Sequence, residues 1–527
     1  MDQMVCVGAW AGGNLRFTHD PTTTRLGPNM NIWPARERAH RLAVCASMLA
    51  IWLSNAGDPR AAEPTRPPNI VFILADDLGW TDLGCQGSGF YETPNIDRLA
   101  RDGVRFTNAY TCGPNCSPTR ASIMAGQYGP RTGFYTNTTG NRGIDAMRKL
   151  VAPPTNPNLG LEIVTLPDCL KKAGYATGMF GKWHLGDGAE YHPSRRGFDE
   201  AIVTSQGMHY GFGTDPAVDV PEGTYLTDFI TDRAVDFIDR HQAEPFFLYL
   251  AEFVVHLPLE AKQEMVAKYE KKPRVGGHFQ PTYAAMVESL DGSVGRVVDK
   301  LDSLGLGDDT LIVFTSDNGG VTGYSNASVN GTPEVTDNAP LRGSKGTLYE
   351  GGVRVPLIAR WNGVVPAGGV CHQPVISCDY YPTLLEIAAA GRHDGQTLDG
   401  LSFAACLKSA EATLPRDRLF WHFPGYLETT DGGWRTTPCA AVRVGNEKLV
   451  EFFEDGRLEL YNLADDIGEE RDLASSMPER AKELHAIMLA WRQEMNAPMP
   501  RPKTHEELAN PKPTAPRRRR GKAGAAD

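Results

Sequence analysis

Positive charge is in deficit along this chain. Lys and Arg number 53 against 64 Asp and Glu, a formal net charge of -11, and a general nucleic-acid binder needs a basic face instead. The one basic run, Arg517 to Arg520, lies in a stretch rich in Pro, Lys and Ala that reads as a solvated tail. No apolar run approaches the roughly 20 residues of a membrane-spanning helix, so stable membrane insertion is not expected. Cysteine is scarce: 10 in 527 residues cannot make a disulfide scaffold at this length. Cys112 and Cys116 have C-x3-C spacing, but no second Cys/His pair follows at zinc-finger spacing, which argues against zinc.

What is present is globular. With 41% hydrophobic and 22% charged residues, a chain this long is expected to form two domains. Near the N-terminus, Arg36, Arg38, His40 and Arg41 precede the apolar segment LAVCASMLAIWL at 42–53, and Ala56, Ala61 and Ala62 follow. A basic block, a short apolar block and a small-residue exit describe a signal peptide, better started at Met30 than at Met1. Residues 1–68 are thus read as leader, signal peptide and linker, and the protein as exported to a periplasmic or extracellular space.

The core begins at Asn69. NIVFILADDLGW is a continuous apolar run that stops at two aspartates, the pattern of a strand buried on both faces of a parallel sheet. LIVFTSDNGG at 311–320, PFFLYLAEFVVH at 245–256 and YATGMFGKWHLG at 175–186 repeat it, ending at Asp317-Asn318, near His256, and at Lys182 and His184. Helical patterns intervene: Thr93-Pro94 opens one ending near Gly103, Leu166 to Gly174 forms a short one, and others cover 282–305 and Asp379 to Ala390. This alternation predicts an α/β domain at 69–405, a large mostly parallel or mixed sheet sandwiched by helices, with polar residues gathered at the strands' carboxyl ends. From about Arg416, AAVRVG, KLVEFF and LELYNL read as an antiparallel meander followed by a helix from Pro478 to about Asn496. A smaller α+β domain is expected at 406–500 and a disordered basic tail at 501–527.

The acids and amide at those strand ends, Asp76, Asp77, Asp317 and Asn318, offer only oxygen, a donor set for Ca2+ or Mg2+ rather than zinc. Dense carboxylates on two buried strands would repel one another without a cation. Ser117-Pro118 reads as a helix start, which sets Cys116 at the positive end of a helix dipole. Taken alone, this Cys is either a nucleophile or a small buried side chain. Lys182 and His184, two apart on an extended segment, are expected to face the same side and to suit an anionic substrate and proton transfer. His256 ends a buried run, and Lys345 lies in the Gly-rich stretch LRGSKGTLYEGGVRVP.

Taken in order, these motifs resemble the type I, formylglycine-dependent sulfatases of the alkaline phosphatase superfamily along nearly all of 69–475. Cys116-x-Pro118-x-Arg120 matches the family's modification motif, and NIVFILADDLGW, GKWHLG, the strand ending at His256, SDNGG, the Lys345 loop with GGVRVP, and LELYNLADDIGEERDLA follow in the family's order. The resemblance implies hydrolysis of aryl or carbohydrate sulfates through a covalent formylglycine-sulfate intermediate, Cys116 being oxidised by a formylglycine-generating enzyme. It implies one divalent cation held by Asp76, Asp77, Asp317, Asn318 and residue 116. Arg120 would steady residue 116, Lys182 and Lys345 would hold sulfate oxygens, His256 would assist the leaving alcohol, and His184 would take a proton from the formylglycine.

Two departures from the family stand out. Ala125-Gly126-Gln127 replaces a common Thr-Gly-Arg, and Val255 precedes His256 where relatives often carry Pro. The rival readings are a phosphonate monoester or phosphodiester hydrolase of the same superfamily and a non-catalytic homologue; six intact candidate catalytic residues weigh against the last. Residues 136–160 and 203–225 read as rim loops that set specificity, with His209 and Tyr210 as candidate substrate contacts that no motif supports.

Overall fold

The computed structural model describes residues 66–512 apart from Thr138 and Gln206. The expected signal segment at 42–53 and the basic run at 517–520 lie outside the described residues, among which no helix is long and apolar enough to cross a membrane.

A nine-stranded sheet forms the centre. In chain order its strands are β1 (Asn69–Ala75), β2 (Val104–Phe106), β3 (Ala176–Gly181), β4 (Glu200–Thr204), β5 (Thr214–Asp215), β6 (Phe246–Ala251), β7 (Thr310–Ser316), β8 (Leu357–Arg360) and β9 (Gly369–Cys371). Their spatial order is β9-β2-β8-β7-β1-β6-β3-β4-β5. The middle five, β7 to β4, run parallel, with Ile70 level with Phe247 and Leu311 on either side. Antiparallel pairings join β8 to β7 and to β2, and β5 to β4, so the sheet is mixed, as expected.

The unbroken apolar runs follow from this placement, because successive side chains of a strand face opposite sides. Val71, Ile73 and Ala75 enter a core shared with helices α1 (Pro94–Arg101), α3 (Leu226–Arg240) and α4 (Pro281–Ser303). Ile70, Phe72 and Leu74 enter a second core on the other face, with α2 (Cys116–Ala125) and α5 (Tyr380–Ile387). Neither face meets water, so neither can carry a polar alternate. The polar residues are displaced to the strand ends.

Beyond Arg416 a four-stranded antiparallel sheet forms from Arg418–Phe423, Cys439–Val444, Glu447–Phe452 and Leu458–Asn462, in that order. Its last three strands are the expected meander; the first, RLFWHF, had not been singled out. Helix α6 (Pro478–Glu494) covers it, Trp491 stacking on Phe420 with ring centroids 4.7 Å apart. The segment from 501, expected as disordered tail, is instead placed as far as 512: Arg501–Pro502 pairs antiparallel with Leu150–Val151, and a short helix, His505–Ala509, follows.

Candidate active site

Four strand ends and one helix start converge. β1 and β7 are neighbours in register, which sets Asp76-Asp77 beside Asp317-Asn318; the Asp77 N–H donates to Asp317 Oδ1 at 3.2 Å. β3 and β6 continue the parallel array and deliver Lys182 and His256 to the same end. Cys116, fully buried, opens the ten-residue helix α2, every residue of which is buried. Lys345 reaches in from the Gly-rich loop.

The contacts interlock. The Cys116 thiol lies 3.3 Å from Asp76 Oδ1, and the Lys345 ammonium donates to its sulfur at 3.3 Å and pairs with Asp77 Oδ1 at 2.6 Å. Lys182 pairs with Asp76. Arg120 donates to Asp317 Oδ2 through Nε at 3.0 Å and Nη2 at 2.8 Å, and through Nη1 to the Lys182 carbonyl at 2.8 Å. Its guanidinium thus ties β7 to the end of β3 and lies 3.8 Å from Asp76. The His256 ring stands 3.6 Å from Asp77, with its side chain about 25% exposed at the mouth.

Two non-glycine residues here adopt left-handed backbone, Asp77 at φ 68° and His184 at φ 62°, a strained conformation that persists only where the surroundings enforce it. The expectation of an extended Lys182–His184 segment is thereby corrected: β3 ends at Gly181 and the chain turns sharply at His184. His209, a candidate substrate contact, is also corrected. It is fully buried behind the site, its Nε2 2.8 Å from the His256 carbonyl and its ring 4.9 Å from that of Phe253. Tyr210 packs on Tyr225, centroids 5.0 Å apart.

Burial and mutual charge shape the titrations. Burial, with Asp317 and Asp76, pushes the Cys116 thiol up. Burial would raise Asp77, but Lys345, His256 and Lys182 outweigh it and hold the carboxyl well below its usual range. Burial and Asp76 lift Asp317 to about 6. Burial opposes the charges of Lys182 and Lys345, yet the facing carboxylates keep both ammonium groups above their ordinary value. Burial, reinforced by Lys182 and Arg120, drives His184 well below an ordinary imidazole. Burial takes His256 to about 3 against the pull of Asp77, aided by Lys345 and Lys182. Both rings are therefore neutral at physiological pH.

The set fits a divalent cation. Asp77 Oδ2 and Asn318 Oδ1 are buried without a hydrogen-bond partner, and such oxygens are costly unless something meets them. Asp76, Asp77, Cys116 and His256 present ligand atoms within 4.8 Å of one another; Asp317 faces the same place but spends Oδ2 on Arg120. Three carboxylates against Arg120, Lys182 and Lys345 sum to zero, so a divalent ion would leave a buried positive site suited to an anion. Sequence reading missed Arg435, whose buried guanidinium donates to the Lys345 carbonyl and stacks on Tyr324, 4.6 Å from the ring centroid. Only the fold brings that hairpin residue beside the loop, 90 residues away in sequence.

Comparison with known proteins agrees with this geometry. The family model described as Sulfatase matches residues 68–390, and that described as N-sulphoglucosamine sulphohydrolase, C-terminal, matches 344–494. A sulfatase of Formosa agariphila is 34% identical over 519 residues, covering 83% of this chain and 90% of its own. The N-acetylgalactosamine-6-sulfatase of Canis lupus familiaris is 34% identical over 402 residues, 72% of each chain. The crystal structure of Ps i-CgsB in complex with k-i-k-neocarrahexaose aligns with a TM-score of 0.69 at 30% identity, over 84% of this chain and 96% of that one.

Proposed function

The chain belongs to the sulfatase family, the sulfuric ester hydrolases of the alkaline phosphatase superfamily, and on that premise we propose that it removes sulfate from a glycan, using formylglycine made from Cys116 and one Ca2+ or Mg2+ ion. The observation that carries the reading is the crowding of Cys116, at the first turn of a buried helix, against two lysines and the carboxylates of β1 and β7. One relative is named for a sugar sulfate and one solved structure holds an oligosaccharide, which favours a glycan over a free aryl sulfate.

The modified residue would supply the oxygen that takes the sulfate group, and the cation the charge that stabilises the spread-out oxyanion. Asp76, Asp77, Asp317, Asn318 and residue 116 would hold that cation. Lys182 and Lys345, paired with Asp76 and Asp77, would be the cations that hold the sulfate oxygens. Arg120 keeps Asp317 and the Lys182 backbone in place. His256, at the mouth, assists the departing alcohol; an arriving anion raises its affinity for a proton. His184, neutral and with Nδ1 lacking a partner, accepts the proton from residue 116 that releases sulfate.

A formylglycine-generating enzyme would have to act before folding, because Cys116, Pro118 and Arg120 are all buried in the finished molecule. The segment at 42–53 serves export. Peptide mass spectrometry of protein made alongside that enzyme should find formylglycine at 116, and Cys116→Ala should abolish turnover; an unmodified thiol in fully active protein refutes the nucleophile. Sulfate monoesters should also exceed matched phosphate monoesters, phosphodiesters and phosphonates in kcat/KM. A diester or phosphonate ahead by about tenfold, roughly 1.4 kcal/mol of transition-state binding, refutes sulfate as the substrate group.

A further inference from the structure

A cavity of about 680 Å³ is lined by none of the catalytic candidates but by segments whose neighbouring residues touch them, and its size is within the roughly 300–1,000 Å³ usual for small-molecule sites. Three segments distant in sequence wall it: the loop at 141–151, the hairpin of Leu427–Glu428 and Trp434–Thr436, and the C-terminal stretch from Lys503 to Lys512.

Two of these walls are anchored on catalytic candidates. The loop begins against residue 116: the Ser117 N–H donates to Asn137 Oδ1 at 3.2 Å, and Asn115 Nδ2 to Thr136 Oγ1 at 3.3 Å. The hairpin packs on the Lys345 loop, so closely that a Cβ on Gly346 would stand 2.8 Å from Leu427 Cδ1. Alternation along the strand does the rest. Arg435 faces inward to the Lys345 carbonyl, while Trp434 faces the cavity.

The lining has a definite chemistry. The Trp434 indole, half-buried and packed on Tyr426 at 4.9 Å between centroids, lines the cavity as its aromatic wall. The loop passes over it at Gly143, φ 77°, where a Cβ would fall 2.4 Å from the indole. Asn141, Thr429 and Thr430 add amide and hydroxyl groups. Most charges are paired, Arg142 with Glu428 at 3.1 Å, Lys503 at 3.0 Å and Arg148 with Asp145, and Glu507 with Arg501 at 2.8 Å; Lys512 lines the cavity too, so its cations outnumber its acids. An aromatic side chain ringed by amide and hydroxyl groups, with cations in excess of acids, suits the faces and hydroxyls of sugar rings that carry anionic substituents. The third wall lies beyond residue 494, where the second family model ends.

We propose that this cavity is a subsite for the sugar units flanking the sulfated one, with Trp434 as its stacking platform, so that the substrate is an oligosaccharide and not a monosaccharide sulfate. This rests on the sulfatase reading.

The test compares kcat and KM of the formylglycine-bearing enzyme, its Trp434→Ala variant and a chain ended at Pro500, on nitrophenyl sulfate and on sulfated chondroitin and carrageenan hexasaccharides. Both changes should lower kcat/KM on a hexasaccharide by about tenfold, through KM, and leave nitrophenyl sulfate within about twofold. The aryl substrate doubles as the control for folding. An equal loss on both substrate types, no loss on hexasaccharides, or a parent enzyme that cleaves the aryl sulfate but no hexasaccharide overturns the subsite and spares the family function. A modified parent enzyme that cleaves no sulfate ester overturns both.

Discussion

Two clusters of fully buried charge lie in this molecule, and they differ in one respect. In the first, Glu350 accepts from Lys448 at 2.8 Å, from Tyr110 at 2.8 Å and from Arg354 at 2.6 Å, while Glu469 receives the Glu350 N–H at 2.7 Å and stands 2.9 Å from Lys448. Each carboxylate oxygen faces its own cation or N–H, Glu469 Oε1 through the Lys448 ion pair alone, and Glu469 is itself left-handed at φ 51°. In the second, at the ends of β1 and β7, carboxylates and cations are equally interlocked, yet Asp77 Oδ2, Asn318 Oδ1 and His184 Nδ1 have no hydrogen-bond partner. Buried charge alone therefore does not mark a site. A closed network reads as a fastener between the central sheet and the C-terminal sheet; one with several orphaned atoms reads as chemistry waiting for a ligand.

Asp317→Ala should break the comparison most sharply. It removes one candidate ligand and the partner of Arg120. Activity should fall at least about a hundredfold, since even the outer partners of metal sites cost ten- to a hundredfold. Elemental analysis should show the bound cation lost with it. Stoichiometric zinc in the parent protein, or full activity after exhaustive chelation, would contradict an oxygen-ligated Ca2+ or Mg2+ site.

The closed cluster should answer in stability instead. Lys448→Met leaves Glu350 and Glu469 buried with one cation fewer, a change that costs about 3–5 kcal/mol. Urea unfolding measures it. The variant that remains folded should keep its KM and kcat on an aryl sulfate within about twofold; a selective fall in kcat would place this cluster in the catalytic machinery.

Much of the site was legible because its signals are local. Apolar runs that stop at acids mark strands buried on both faces, and register along a parallel sheet then carries Asp76, Lys182, His256 and Asp317 to one end. What escaped depends on pairs that local pattern cannot show. Lys448 and Glu350 are 98 residues apart, and each alone looks like a solvated charge. Arg435 reads as a hairpin residue until the hairpin docks on the Lys345 loop. His209 was weighed as a rim residue because nothing in its neighbours reveals that Phe253 and Tyr225 close over its ring. His184 defeats the assumption of an extended chain, since a positive φ outside glycine leaves no trace in composition. The placed segment after 501 is short, and its hold is the pairing with Leu150–Val151 and the Lys503–Asp145 contact, both long-range.

Glu252 supplies a third, intermediate case, a buried acid with no cation at hand. It follows β6, is fully buried, and accepts from Ser293 Oγ at 2.7 Å, while its other oxygen has no hydrogen-bond partner. Burial pushes its carboxyl up to about 8, Ser293 pulling it down and Asp228 on α3 adding a little upward. The folded-state value thus exceeds the ordinary value of 4.5, so the folded protein keeps a proton that the unfolded chain has released. Stability contributed by that proton is complete below about pH 4.5 and is lost as pH rises toward about 8, with a slope of at most about 1.4 kcal/mol per pH unit. Glu252→Gln keeps an oxygen for Ser293 and cannot ionise. Other titrating groups cancel in the difference between the two proteins, which should be near zero at pH 5 and grow in favour of the variant toward pH 8. Urea midpoints at both values measure that difference. If it stays constant across the window, Glu252 is ionised in the folded protein and has a counter-charge after all, which would put it with the closed cluster.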